Sequence, residues 1–364
     1  MIPRFVWENV RHKPMRALLS ILLIAVPVTL ILTLRGLSTG FIEDSKKRAA
    51  GIGADIRITP PAANVLSFSN ATMTDKLIPV LAAEPHVAQA MGTVVAPVGG
   101  FEALIGIDPT AFNKMSGGFI FDEGSGFQSP NDVLIDSWYA DQRHVRAGGT
   151  LNILNHDWHV CGVVEPGKLG HLFVQMTALQ DLQGGAGKVS QIFLKLDDAK
   201  NQDTVVEDLK KKLDRYNVLS MAELQSLISV DNVPMLKPFL NVIVGISVLI
   251  AFFVVALSMY MAVLQRTREI GILKSMGAKN SFVMNLILAE AVLMGLGGTV
   301  LGILLSYVSQ FAIHRAMPAS LPQAIVYSWW PIAGAIAIGA SILGAVYPGV
   351  IAVRHDPIEA LAYE

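Results

Sequence analysis

Four long apolar stretches constrain this 364-residue chain more than any other feature of its sequence. They run from Ala17 to Leu34, Phe239 to Leu264, Phe282 to Ile313 and Trp329 to Val353. A helix needs about 20 consecutive apolar residues to cross the hydrocarbon core of a bilayer, because each residue adds about 1.5 Å. We therefore predict four transmembrane helices, of which the second and third are long enough to tilt or to extend beyond the membrane.

The composition is typical of a membrane protein rather than a soluble enzyme. Hydrophobic residues make up 52% of the chain and charged residues only 16%, which is far from the balance of a soluble globular domain. The formal net charge of −1 gives no indication of nucleic acid or of acidic substrates as partners. The single cysteine, Cys161, excludes an intramolecular disulfide and a thiolate metal cluster.

Basic residues beside the apolar stretches predict the orientation of the chain. Before the first stretch lie Arg4, Arg11, Lys13 and Arg16, and between the second and third lie Arg266, Arg268, Lys274 and Lys279. Because Lys and Arg concentrate on the cytoplasmic side, we expect both termini and the 265–281 loop to be cytoplasmic and the long segment after the first stretch to be outside. We interpret the first stretch as a retained signal anchor.

The predicted domains follow from these boundaries. Segment 36–238 mixes strand and helix patterns without a repeating βαβ unit, so we predict an α+β extracytoplasmic domain with helical stalks. The complete division is a cytoplasmic N-terminal helix at 1–16, spans at 17–35, 239–264, 282–313 and 329–353, a cytoplasmic loop at 265–281, a short outer loop at 314–328 and a cytoplasmic tail at 354–364.

The cytoplasmic loop carries the most informative motif, RTREIGILKSMGA at residues 266–278. Ile270 and Leu273 give it an apolar side, and Gly277 fits the C-cap of a short helix. One interpretation is an interfacial helix that orients its neighbours. The other is a docking helix that fits a groove on a soluble partner.

Two features inside the spans allow more than one role. Glu290 is the one acidic residue in a span, and we favour a structural or coupling pair over a proton relay. Small residues at a spacing of four predict close helix packing, within one subunit or between two; they are the pairs Gly298/Gly302, Ala335/Gly339 and Ala340/Gly344.

Two further motifs resemble ligand sites but favour simpler interpretations. His156, His159 and Cys161 are metal-ligand types, yet on a strand only the last two share a face, so we predict hairpin side chains and no metal site. Residues 184–189 read GGAGKV, like a phosphate-binding loop. The required first glycine is replaced by Leu182 and the magnesium-binding hydroxyl by Val189, so we predict no nucleotide site on this chain.

The 266–278 motif resembles the segment RTREIGILKxxGA of MacB/FtsX-like permeases, the membrane subunits of mechanotransmission-type ATP-binding-cassette (ABC) systems. Three other segments are similar to that family. Residues 7–16 resemble its basic N-terminal helix, and 133–166 resemble a strand–helix–hairpin unit of its outer domain, with Gly148-Gly149 in place of the usual Gly-Asp. Residues 356–364 resemble its C-terminal DPIEALRYE, with Ala362 in place of Arg.

The resemblance implies a permease subunit of the bacterial inner (plasma) membrane that is not itself an enzyme. It implies a homodimer that recruits a separate cytoplasmic ATPase, with Mg-ATP on that partner and no cofactor on this chain. Membrane lipid is a further partner, and a periplasmic adaptor stays open. The coupling residues it implies are Arg266, Arg268, Glu269, Ile270, Gly271, Lys274 and Gly277.

We expect the function to be export or extraction of a periplasmic or membrane-embedded substrate, since no continuous polar path lines the four spans. The alternative is an FtsX-like signalling subunit that regulates a cell-wall hydrolase. An enzyme with its site in the outer domain has little support, because the acidic and histidine side chains there are scattered.

Overall fold

The computed structural model describes residues 14–61, 63, 71–99, 102–229, 236–265 and 267–354, apart from the side chains of Arg16 and Leu236. The predicted helix at 1–16 and tail at 354–364 therefore lie almost wholly outside the described residues, as does Arg266. The chain forms two compact units. We call residues 1–39, 235–312 and 323–364 the membrane unit, and residues 40–234 and 313–322 the outer unit.

The described residues contain eleven α-helices and twelve strands. The helices are α1 (Pro14–Ala50), α2 (Leu77–Ala82), α3 (Pro109–Ser116), α4 (Ser137–Arg143), α5 (Met176–Leu182), α6 (Gln202–Lys212), α7 (Met221–Leu227), α8 (Leu236–Gln265), α9 (Thr267–Ser275), α10 (Asn280–Ala316) and α11 (Trp329–Arg354). The strands are β1 (Ile56–Thr59), β2 (Met73–Thr74), β3 (Val87–Gly99), β4 (Glu102–Ile107), β5 (Phe121–Gly124), β6 (Asp132–Asp136), β7 (Thr150–Ile153), β8 (His156–Val164), β9 (Leu172–Gln175), β10 (Lys188–Val189), β11 (Gln191–Leu196) and β12 (Asn217–Ser220).

Helices α1, α8, α10 and α11 are the four predicted spans. Among the described residues they alone are long and apolar enough to cross a membrane, over 17–50, 237–265, 280–316 and 329–354. The prediction of four spans is therefore confirmed. All four helices continue past the predicted span boundaries, and α1 runs without a break through the polar segment 41–50.

The outer unit contains a ten-stranded mixed sheet in the order β12-β1-β11-β3-β4-β9-β6-β8-β5, with β7 paired to β8. The pairs β4–β9 and β6–β8 are parallel and the others are antiparallel. Strands β2 and β10 form a separate two-stranded sheet. Helices intervene between strands without a regular βαβ repeat, which confirms the predicted α+β class.

The central strands of the large sheet are buried on both faces. In β4, Leu104 packs in the hydrophobic cluster on one face, and Ile105 packs in the cluster on the other. Neither side chain is exposed to solvent. Because successive side chains of a strand point to opposite faces, a strand covered on both sides is apolar along its whole length.

Side-chain caps fix where helices of the outer unit begin. Asp108 accepts hydrogen bonds from the backbone N–H of Thr110 (2.8 Å) and of the next residue, and Pro109 opens α3. Asp136 accepts from Tyr139 N (2.8 Å) at the start of α4. Such caps satisfy backbone donors that have no partner within the helix.

The hairpin predicted around residues 151–164 is present, but its turn lies elsewhere. The sequence pattern favours strands at 151–154 and 159–164, but Leu154 forms the two-residue turn with Asn155, and β8 begins at His156. Both turn residues have positive φ, 56° and 57°. This left-handed pair matches the twist of a two-residue hairpin. The sequence does not reveal it, because leucine seldom adopts positive φ.

Candidate functional site

Helix α9 is the short helix predicted in the 265–281 loop, and hydrogen bonds define both of its ends. Thr267 Oγ1 donates to the carbonyls of Val263 (3.1 Å) and Leu264 (2.9 Å), which ties the start of α9 to the end of α8. At the other end Gly277 has φ 91°. Its N–H bonds Lys274 O, and Ala278 N bonds the carbonyl of residue 273, both at 3.0 Å. These two bonds form a Schellman motif, which fits the predicted C-cap role of Gly277.

One face of α9 is held by the membrane unit. Lys274 Nζ donates to the backbone carbonyl of Val353 (2.9 Å), in the last turn of α11. The last carbonyls of a helix lack partners within the helix and carry partial negative charge, so a lysine is favoured there. Gly271 is buried and Ile270 packs against the hydrophobic cluster of the spans. These three residues therefore hold α9 against the membrane unit.

The opposite face of α9 is open. Arg268 and Glu269 are exposed at its start. Ile272 and Met276 lie on the same side and are 42% and 72% exposed. These two apolar residues are not among those that the sequence indicated for a functional role. The sequence pattern that could have identified them is the spacing of four between Arg268, Ile272 and Met276, which places the three side chains on one helix face.

A shallow cleft lies beside this face. Its volume is about 590 Å³, and its lining combines apolar and polar side chains with the exposed Met276 at one edge. The lining residues are Leu273, Met276, Gly277, Ala278, Lys279, Ser281, Phe282 and Asn285. Helix α9 and the first turns of α10 therefore expose apolar side chains and charged side chains within one short stretch of the chain.

The intramembrane acid is enclosed by helix packing. Glu290 is only 5% exposed and lies on the buried side of α10 with Ile287, Ala291 and Met294. Its carboxyl group is therefore part of the interior of the membrane unit, and does not extend to the aqueous interface. Acidic groups in such positions are retained for a specific interaction, since burial of a carboxylate is costly.

Small residues allow close helix contacts within one chain. A Cβ added to Gly298 would lie 2.5 Å from Ile24 Cγ2, and one added to Gly302 would lie 2.7 Å from Val28, so α10 packs on α1 at both positions. A Cβ at Gly344 would lie 2.6 Å from a backbone oxygen of α8. At Gly339 nothing described lies within 4 Å, so this glycine takes no part in those contacts.

The potential metal ligands of the hairpin each bond a different group. His156 Nε2 lies 3.1 Å from Asn131 Oδ1, and His159 Nδ1 lies 3.0 Å from Asp132 Oδ1. Cys161 Sγ donates to a backbone carbonyl of β6, and burial raises the pKa of its thiol to about 12. Across the described residues, no three His, Cys, Asp or Glu side chains are grouped so that they could hold a metal.

The glycine-rich segment 184–189 does not have the geometry of a phosphate-binding loop. Gly184 and Gly187 have positive φ, and the next residues, Lys188 and Val189, form strand β10 against β2. A phosphate-binding loop opens onto a helix, whose N-terminal N–H groups contact the phosphate. Here the lysine lies in a strand.

A buried charged network in the outer unit is not apparent from the sequence. Arg48, in the last turn of α1, places Nη1 2.7 Å from His171 Nε2, and His171 Nδ1 lies 2.5 Å from Asp136 Oδ2. Arg48 also forms an ion pair with Asp44. A guanidinium only donates, so His171 Nε2 is the acceptor and Nδ1–H donates to Asp136.

Comparison with known proteins gives two family matches that together cover most of the chain. Residues 17–212 match the MacB-like periplasmic core domain, and residues 241–357 match the FtsX-like permease C-terminal region. The first match alone covers more than half of the 364 residues.

Individual relatives are distant. An uncharacterised ABC transporter permease of Methanocaldococcus jannaschii is 24% identical over 243 residues, which are 61% of this chain and 59% of that protein. The macrolide export ATP-binding/permease protein MacB of Photorhabdus laumondii is 39% identical over 133 residues, 35% of this chain and 20% of that protein. The crystal structure of the periplasmic region of MacB from Actinobacillus actinomycetemcomitans aligns with this chain at 16% identity and a TM-score of 0.36. The alignment covers 49% of this chain and 94% of the chain in that crystal structure. This chain thus spans less than two thirds of the length of either curated relative.

Proposed function

Because this chain belongs to the MacB/FtsX-like family of ABC transporter permeases, we propose that it couples a separate cytoplasmic ATPase to movement of its outer domain. It is a multi-pass membrane protein, and the ATPase would carry Mg-ATP. A homodimer, contact with membrane lipid and a periplasmic adaptor belong to the same proposal. So does the orientation with both chain ends in the cytoplasm, which rests on the basic residues around α9.

The exposed face of α9 is the observation that carries this proposal. An interfacial helix separates its apolar face from its charged face, so that one enters lipid and the other stays in water. In α9, Ile272 and Met276 share one open face with Arg268 and Glu269. An apolar centre with charged residues at its edge is the arrangement of a protein–protein contact. We therefore favour a docking helix for a soluble partner.

The attachments of α9 explain how such a partner would move the spans. Thr267 connects its start to α8, and Lys274 connects its last turn to α11. A displacement of α9 would be transmitted to both spans through these bonds. Coupling then requires only that the ATP-bound ATPase prefers one arrangement of the spans and the ATP-free ATPase prefers another. The work done would be export or extraction of a periplasmic or membrane-embedded substrate.

The test is affinity purification from membranes in mild detergent, with identification of bound proteins and an assay of ATP hydrolysis. The double variant Ile272→Asp, Met276→Glu should lose the ATPase while still inserting in the membrane, because charges replace the apolar centre. Leu182→Asp is the matched control, since this leucine is 39% exposed in the outer unit and far from α9 in sequence. Equal recovery of an ATPase with both variants, or none with the wild type, would contradict the proposal.

The FtsX-like match of residues 241–357 favours a second candidate, a signalling subunit whose outer domain regulates a cell-wall hydrolase. The two candidates share the ATPase and differ in the partner of the outer domain. Recovery of a hydrolase with the full-length protein, and a cell-wall defect without an export defect on deletion, would favour signalling.

A further inference from the structure

The first half of the loop between α10 and α11 is part of the outer unit, together with the last turn of α10. Residues 313–322 group with the outer domain rather than with the spans that precede and follow them. Ala319 is only 3% exposed and joins the hydrophobic cluster on one face of the large sheet. The contact is therefore packed and largely dry.

Gln142, in α4, binds this loop with every polar atom of its amide. Its Oε1 accepts from the backbone N–H groups of Ala319 (3.1 Å) and Ser320 (3.0 Å). Its Nε2 donates to Ser320 Oγ (2.6 Å) and, at 3.3 Å, to Glu102 Oε1. Because two backbone donors face one amide oxygen, the orientation of the side chain is fixed.

Glu102 completes the contact from β4. Ser320 Oγ donates to Glu102 Oε1 (2.7 Å), and the other carboxylate oxygen lies 3.3 Å from Arg143 Nη2. The Glu102 side chain is only 10% exposed, whereas that of Arg143 is 51% exposed. A hydrogen bond to a carboxylate is stronger than one between neutral groups, and it is screened less when it is shielded from water. We call Glu102, Gln142 and Ser320 the latch.

We propose that the latch is a third mechanical connection of the outer domain, through which it follows the movement of α10 and α11. Chain continuity supplies the first two connections, since α1 leads into β1 and β12 leads through α7 into α8. Without the latch, movement of α10 and α11 would reach the outer domain only through those two. Gln142 is thus a positioning residue for the coupling, and this inference rests on the proposed function.

The specificity of the latch supports this role. A loop that merely closes the connection between two spans needs no buried side-chain partner, because its backbone groups can bond water. Here two consecutive loop N–H groups are bound by a side chain 178 residues away in sequence, next to a buried apolar contact. Removing the Gln142 side chain would leave these two N–H donors without their acceptor. The resulting loss of stability should be larger than that from removing an exposed glutamine side chain.

The experiment is hydrogen–deuterium exchange on the full chain in complex with its ATPase, with and without a non-hydrolysable ATP analogue. In Gln142→Ala, the amides of Ala319 and Ser320 should exchange about tenfold faster than in the wild type, the effect of losing one hydrogen bond of ordinary net strength. The analogue-induced change in the peptides of the outer sheet should fall to less than half, while that in α9 is retained.

Two further variants control the result. Gln183→Ala makes the same chemical change at an exposed position of the outer unit and should behave as the wild type. Gln142→Met keeps the side-chain length without the amide and should reproduce Gln142→Ala, which separates lost hydrogen bonds from lost volume and serves if the alanine variant does not fold.

The outcomes distinguish this inference from the proposed function. If the wild type binds no ATPase or shows no response to the analogue, the proposed function fails and the inference fails with it. If the wild type responds and the outer sheet responds equally in Gln142→Met, the latch transmits nothing and only the inference is overturned.

Discussion

Substitution of His171 by alanine should destabilise the outer unit strongly. His171 bridges Asp136 and Arg48, and the histidine and aspartate side chains are 4% and 1% exposed. The variant leaves a buried carboxylate and a buried guanidinium facing a cavity. Asp136 keeps its hydrogen bond from Tyr139 N, and Arg48 keeps its ion pair with Asp44, so neither charge is stranded completely.

The expected cost follows from these remaining partners. A hydrogen bond to a charged group contributes about 1.5–3 kcal/mol, and His171 makes one to each of two buried charged groups; because both groups keep another partner, we expect His171→Ala to cost about 3 kcal/mol. For a domain of 150–250 residues, 1 kcal/mol shifts the melting temperature by about 2–4 °C. We therefore expect His171→Ala to lower the melting temperature of the outer unit by about 6–12 °C.

The protein provides a matched control and a local reporter. His159 contacts Asp132 with similar geometry, but the histidine side chain is 53% exposed, so His159→Ala should cost less than about 1 kcal/mol. The single cysteine, Cys161, is 9% exposed in the outer unit, and its thiol has a pKa of about 12. A maleimide dye should therefore label the full chain in detergent only when the outer unit opens.

The assay measures the fraction of Cys161 labelled in a short pulse as temperature rises. The midpoint should fall clearly in His171→Ala and hardly move in His159→Ala. Equal midpoints for the two variants would refute the reasoning, because burial is the main difference between the two histidine–aspartate contacts.

Three other substitutions can be tested by the same Cys161 labelling assay or by the yield of folded protein. Burial alone would raise the pKa of Asp132, but hydrogen bonds from backbone N–H groups and from a histidine outweigh burial and lower this pKa below its usual value. A carboxyl group whose pKa is lowered by folding stabilises the folded protein at pH values above its unfolded pKa of about 3.9. That stabilisation is lost as the pH falls through the folded pKa. At pH 7 the labelling midpoint of Asp132→Asn should therefore lie below that of the wild type, and the difference between the two midpoints should narrow below about pH 4. A difference in midpoint that does not change with pH would contradict this. Gly298→Leu should reduce the yield of folded protein because its side chain would meet Ile24, whereas Gly339→Leu should not, and equal yields would argue against the α1–α10 contact. Leu154→Asn should raise the midpoint by about 1–3 °C, because asparagine tolerates the left-handed backbone of the hairpin turn, and a lower midpoint would refute that explanation.

The parts of the structure that were predictable from the sequence are those that local patterns encode. Uninterrupted apolar runs identified the four spans, and the cap at Gly277 identified the end of α9. The open face of α9 was not predicted, since the apolar side of this helix was assigned from Ile270 and Leu273, and Ile272 and Met276 were not considered. Whether an apolar residue faces its own protein or the solvent depends on what packs beside the helix, and periodicity alone does not report this.

The contacts that were missed join residues far apart in the chain. His171 meets Asp136 and Arg48 across 35 and 123 residues, and Gln142 meets Ser320 across 178. Each of these residues has an ordinary polar neighbourhood in sequence. The order of strands in the sheet brings β6, which ends at Asp136, beside β9, which begins directly after His171, and no local pattern in the sequence reports this pairing.

The first and last strands of the large sheet lie side by side. Ile56 pairs with Ser220 and Thr59 with Asn217, so the chain enters and leaves the sheet at neighbouring points, about 5 Å apart across the β1–β12 ladder. A domain whose two ends are adjacent can be inserted into a host chain, enlarged or replaced without separating the segments that flank it. This arrangement would let evolution exchange the outer domain, and with it whatever the outer domain binds, while the four helices and the α9 segment are inherited unchanged.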